Sequence, residues 1–184
     1  GDAVLTTDHV YNAVRNTLCF VLDAAGARLQ VAAVGLPVAG EAHILDALDA
    51  AWTDDTRLVV VDHVASPSAL IMPVAAIAER CRARGARLLV DGAHGPGLVD
   101  LDLPALGADW YVGNLHKWLC APKGAGFLWA RAERQADLHP VVISHRLGEG
   151  FTAEFDLVGT RDVSAWLAAP AAIAAPPAMS PPLR

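Results

Sequence analysis

Cysteine is scarce in this sequence. Cys19, Cys81 and Cys120 are the three present, an odd number with no C-x-x-C pair. That argues against a disulfide framework and for a reducing compartment, so a cytoplasmic location is expected. Positive charge is scarce as well. The net charge is -6 and the pI is near 5.5, which speaks against a nucleic-acid surface. The one dense basic patch, Arg80, Arg82, Arg84 and Arg87, reads as a solvated helix face. No apolar run approaches the roughly 20 residues of a membrane span. No signal peptide opens the chain and no internal repeat is found. The chain begins at Gly1, almost directly on a strand, and its N-terminus is expected to be a cut.

What is present is a core. The 184 residues are 54% hydrophobic and 18% charged, enough for one domain with a sizeable interior. Ala3 to Thr7 reads as a strand, with Asp8 placed to cap the next helix. Tyr11, Val14, Leu18 and Leu22 recur at near-helical spacing until Gly26. Arg28 to Val34 is a second strand. Leu45, Leu48 and Trp52 stripe a second helix. Arg57 to Asp62 is a third strand, apolar throughout from Leu58 to Val61, as suits a strand covered on both faces. After the Ser66-Pro67-Ser68 loop, Pro73 opens a helix with Val74, Ile77, Ala78 and Cys81 on one face, ended by Gly85. Strand and helix alternate, which implies a parallel sheet with crossover helices. Gly126 to Trp129 follows too soon for a crossover and is expected to run antiparallel. From Ala169 to Arg184 the chain is mostly Ala and Pro, with five of the twelve prolines. This segment is expected to be a disordered tail beyond a domain of residues 1–168.

The stretch from Leu88 to Arg131 carries the reactive groups. One apolar run ends in Asp91-Gly92-Ala93-His94, and a second in Gly113-Asn114-Leu115-His116-Lys117. In an open parallel sheet, ligands collect outside the carboxyl ends of strands. Asp91, His94, His116 and Lys117 are therefore expected to face one crevice. A lysine can form a Schiff base with an aldehyde cofactor, and a carboxylate can hold a pyridinium nitrogen protonated. Pyridoxal phosphate needs both.

At this point the sequence resembles a known family. D-G-A-H followed by H-K, with 26 positions from Asp91 to Lys117, is similar to the class V aminotransferases. Leu5-Thr6-Thr7-Asp8-His9, Val61-Asp62-His63-Val64 and Gly159-Thr160-Arg161-Asp162 match as well. The wording leans toward the isopenicillin-N epimerase-like branch, with cysteine desulfurases as cousins, and the match covers roughly residues 1 to 170. The resemblance implies an α/β three-layer sandwich with a mostly parallel sheet, the large domain of a fold-type I pyridoxal-phosphate enzyme, without the small C-terminal domain. It implies a homodimer acting on an amino acid by epimerisation, C–S cleavage or transamination. By the same resemblance Lys117 carries the cofactor and Asp91 holds the ring nitrogen. His94 lies near the phenolic oxygen and the substrate, with Ser66 close to that oxygen. His9 stacks on the ring, Asn114 and His116 contact the phosphate, and Thr160 reaches the phosphate of a partner chain.

Each residue has a plainer reading. Lys117 could be a surface lysine, Asp91 a turn former, His94 structural, His9 a surface histidine, Ser66 a turn residue and Thr160 a cap for a helix at Ser164. Cys120 reads as packed or incidental. A metal shared by His63, His94 and His116 matches no local zinc spacing. The family's phosphate loop and the arginine that holds the substrate carboxylate fall outside this chain, with Arg161 the nearest substitute. A weakly binding, inactive fragment or interaction module is therefore the alternative to an enzyme.

Overall fold

The computed structural model describes residues 1–175. Five parallel strands, β1 (Ala3–Thr7), β2 (Arg28–Ala32), β3 (Thr56–Asp62), β4 (Arg87–Gly92) and β5 (Trp110–Asn114), are joined by one antiparallel strand, β6 (Gly126–Ala130). Their order is β2-β1-β3-β4-β5-β6. The chain leaves β1 toward β2 and then crosses back to β3. The switch in direction therefore falls between β1 and β3, where open sheets of this kind bind ligands.

Alternation along β3 divides the core. Val59 and Val61 point to one face, where α2 (Glu41–Ala51) and α3 (Val74–Ala83) bury Leu45, Leu48 and Ile77 against them. Leu58 and Val60 point to the other, where α1 (Asn12–Ala25) lays Leu18 and Leu22. Helix, sheet and helix make the three layers. The same parity carries Asp62 onto the face of α1. It does so for Asp91 too, because Leu89 packs with Val60 and Asp62 pairs in register with Asp91.

Several local expectations need correction. Asp8 does not cap α1: its Oδ1 accepts the N–H of Val34 at 2.9 Å, and the helix starts later, with no side-chain cap at Tyr11. The basic patch is not simply solvated. Asp49 of α2 accepts from Arg80 at 3.3 Å and pairs with Arg84 at 2.7 Å, while the Arg84 guanidinium lies 4.7 Å from the Trp52 ring centroid. Thr160 does not cap the helix α6 (Ser164–Leu167), for which Asp162 accepts from the Ser164 N–H at 2.8 Å and hydroxyl at 2.6 Å. These bonds hold the Asp162 carboxyl below its ordinary range. The helix α7 (Ala169–Ala174) packs Ala169 beside Leu115, Ala121 and Ala125, so the packed chain extends past residue 168. Ala165, Trp166 and Ala172 pack against the same cluster. The remainder of the expected tail, residues 176–184, lies outside the described residues. Among the described residues no helix is long and apolar enough to cross a membrane.

Candidate active site

A crevice of ≈ 240 Å³ opens at the carboxyl ends of β3, β4 and β5. Five of the residues expected from sequence line it: Ser66, Asp91, His94, Asn114 and Lys117. Each arrives by simple geometry. Asp91 stands one residue before the end of β4, whose Leu88 and Val90 are fully buried, and its Oδ1 accepts the N–H of Ala93 at 3.0 Å in the turn that follows. Asn114 ends β5, two residues after Val112, the register partner of Asp91. Lys117 sits in the connection to β6, where Leu115 N–H donates to Ala125 O and Ala121 N–H to Leu115 O.

His94 and Lys117 meet directly. Lys117 Nζ lies 3.1 Å from His94 Nε2, and the Trp118 indole N–H donates to His94 Nδ1 at 3.1 Å. Burial keeps the His94 imidazole below the ordinary histidine range; a charged Lys117 adds to this and Asp91 opposes it. Two glycines hold the His94 turn in place. A Cβ on Gly95 would stand 2.0 Å from the Tyr111 hydroxyl, and one on Gly97, whose φ is +82°, would stand 2.8 Å from the Trp118 backbone. The Cys120 backbone is left-handed at φ 56°, unusual outside glycine, and its N–H donates to Lys117 O at 3.2 Å. Its side chain is exposed rather than packed.

Three expected residues stand apart from the crevice lining. His9 is buried, donates from Nε2 to Val34 O at 2.7 Å and receives the Ser68 hydroxyl at Nδ1, 2.8 Å away. His116 donates from Nδ1 to Ala125 O at 3.2 Å, bracing the lysine loop from behind. Thr160 is exposed in the loop before α6. Arg161 lies 4.7 Å over the Trp166 ring. His63 faces the opposite side of the sheet from Asp62, bonded through Nδ1 to the Tyr111 hydroxyl at 3.0 Å, with its pKa lowered by burial. Among the described residues no group of three or more His, Cys, Asp or Glu is placed to hold a metal ion.

Two lining residues, Tyr11 and Asp62, were not expected as part of the site. Tyr11 stands just before α1. Asp62 is 3% exposed, and its Oδ2 is buried without a hydrogen-bond partner. Burial, and after it the charge of Asp91, push its pKa up to about 7, against the pull of backbone N–H groups at Asp62 and Tyr11 and of His9. The signal for Asp62 was in the sequence. Like Asp91 it follows an unbroken apolar run and ends a buried parallel strand, so the two carboxylates were bound to share an edge.

Comparison with known proteins gives a consistent set of likenesses. A family model described as Aminotransferase class-V matches residues 1–172. A probable chloroplastic L-cysteine desulfhydrase of Arabidopsis thaliana is 35% identical over 92% of this chain and 38% of its own length. Isopenicillin N epimerase of Streptomyces clavuligerus is 41% identical over 72% of this chain and 37% of its own length. Among solved structures, a cystine C-S lyase in complex with its reaction product cysteine persulfide superposes with a TM-score of 0.82 at 25% identity, covering 94% of this chain and 49% of that one. The chain thus spans less than half the length of each.

Proposed function

The chain belongs to the aminotransferase class-V family, and from that premise we propose that it is the cofactor-binding core of a pyridoxal-phosphate-dependent enzyme acting on a small amino acid. The observation that carries the proposal is the convergence of one amine, one imidazole and two carboxylates on a single crevice at the carboxyl ends of β3, β4 and β5. The donor set fits the cofactor. Lys117 offers a primary amine to an aldehyde, and Asp91 a carboxylate to a ring N–H. Asp62 adds a buried oxygen that lacks a partner. Ser66 and Asn114 offer polar groups to the ring oxygen and the phosphate. His9, held from both nitrogens, stands outside the crevice lining.

When bound, pyridoxal phosphate supplies an electrophilic aldehyde carbon and an electron-withdrawing ring. The protein's share is binding and proton handling. Asp91 would hold the ring nitrogen of the bound cofactor and keep it protonated. Lys117 Nζ and His94 Nε2, already 3.1 Å apart, can pass a proton between them at the open side of the crevice. The relatives' names divide between breaking a C–S bond and epimerisation. The L-cysteine desulfhydrases and the C–S lyase favour a sulfur-containing amino acid as the substrate class. A homodimer in which Thr160 serves the neighbouring site completes the proposal.

The test is direct. Borohydride reduction in the presence of pyridoxal phosphate should fix the label on Lys117, as read by peptide mapping. A label found on Lys123 would refute the assignment. Release of sulfide from L-cysteine, or exchange of the α-proton with solvent deuterium without sulfide release, would then separate the two chemistries.

A further inference from the structure

Asp62 lines the crevice, yet the proposed function gives it no work. It is 3% exposed, and its Oδ2 is buried without a hydrogen-bond partner. A dry carboxylate oxygen of this kind is costly. A structural role does not account for it. The backbone N–H groups of Asp62 itself and of Tyr11 draw on the carboxyl, and an asparagine oxygen would accept from both without bringing a charge.

The sheet sets a second carboxyl beside the first. Asp62 and Asp91 are register partners on the neighbouring parallel strands β3 and β4, on the same face. Such strands lie about 4.8 Å apart. Two carboxyls this close do not both ionise readily, so the empty pair holds one proton. The more buried member, Asp62, is the one that keeps it. We propose that Asp62 is a second anchor for the charged ring of the cofactor, giving up its proton to solvent when Asp91 takes a ring N–H⁺ as its partner.

The groups around Asp62 support this direction. Burial, and after it the charge of Asp91 on β4, oppose its ionisation. His9, ahead of α1, favours it. Tyr11, His94 and Lys117 complete the titratable groups of the crevice lining. A cation paired with Asp91 cancels the like charge and leaves burial as the chief opposition. Asp62 thus acts by charge from one strand away and is a positioning residue. The inference rests on the reading of the crevice as a pyridoxal-phosphate site.

The probe that tests it is 4-deoxypyridoxine 5'-phosphate, which has the ring nitrogen and the phosphate but no aldehyde to react with Lys117. In the chain carrying 13C-labelled aspartate carboxyls, the resonance missing from Asp62→Asn should titrate near pH 7 without the probe and about one unit lower with it. Probe affinity is then compared between the native chain and Asp62→Asn, both folded by circular dichroism. The ratio of native to variant affinity should rise about tenfold between pH 5 and pH 8, the same effect read from the ligand's side. A midpoint that does not move, or a ratio equal at both pH values, overturns the inference while probe binding leaves the cofactor reading in place. Absence of probe binding also overturns it, and the borohydride label on Lys117 then tells whether the cofactor reading falls as well.

Discussion

Asp62 is where a single residue most clearly sets a measurable property. Its carboxyl has an ordinary value of 3.8 and is pushed up to about 7 in the folded chain, by burial and then by Asp91. Between these values the folded chain binds a proton that the unfolded chain has released, so stability falls as pH rises. The favourable contribution is complete below about 3.8 and is lost as pH passes through 7. The upper bound on that loss is on the order of 4 kcal/mol, at about 1.4 kcal/mol per unit. Asp62→Asn in the cofactor-free chain should therefore gain about 1–4 kcal/mol at pH 8 and show a flatter profile between pH 4 and 7. Urea unfolding of both chains at pH 5 and pH 8 checks it; parallel profiles would rule the effect out. That Asp91 and Lys117 share one crevice was legible because each lies at or just beyond the carboxyl end of a strand in the parallel sheet. Asp62 and Trp118 were passed over although both sit beside recognised motifs. Asp62 could have been read from the apolar run before it, whereas the Trp118–His94 bond joins two loops distant in sequence and neither stretch read alone reveals it.

At the scale of elements, the apolar runs located every strand, and their parity decided which carboxylates share a face. The closeness of β6 to Lys117 was enough to make it antiparallel. Less was legible where a side chain bonds backwards, as Asp8 does to Val34, or where one small residue docks, as Ala169 does. Such contacts depend on partners distant in sequence. The join of β4 to the His94 turn gives a sharp expectation. A Cβ on Gly92 would lie 2.0 Å from the ring of Tyr111, a fully buried side chain bonded to His63. Gly92→Ala should destabilise the chain by about 1–3 kcal/mol or more, through overpacking. Gly124→Ala is the control: no atom lies within 4 Å of its added Cβ, so only the left-handed backbone, φ +98°, is penalised. Thermal unfolding of the two variants should rank Gly92→Ala as the worse.

For the whole molecule, the outer surface is unusually apolar in two places. Phe20 and Val21 on α1 are 78% and 53% exposed, and Val141 in the segment before α5 (Phe151–Asp156) is fully exposed, with Val142, Ile143 and Leu147 near it. Patches of this kind mark surfaces that meet other protein. If Thr160 serves a neighbouring site, mixing Thr160→Ala chains with Lys117→Ala chains of the intact protein should restore part of the turnover that each lacks alone, because one site per mixed pair escapes both changes. Absence of any recovery would put sharing out of the question. The sheet itself has a further consequence, for the order in which it forms. Strands β1 to β5 pair in parallel and each must wait for a long crossover to close, whereas β5 and β6 are joined through the short lysine loop. Hairpins form in roughly 1–10 μs, far ahead of pairings between distant segments. The amides of β5 and β6 should thus be the first protected in pulsed hydrogen exchange during refolding. Lys117 would then be set in its loop before Asp62 and Asp91, which line the same crevice, have reached their places.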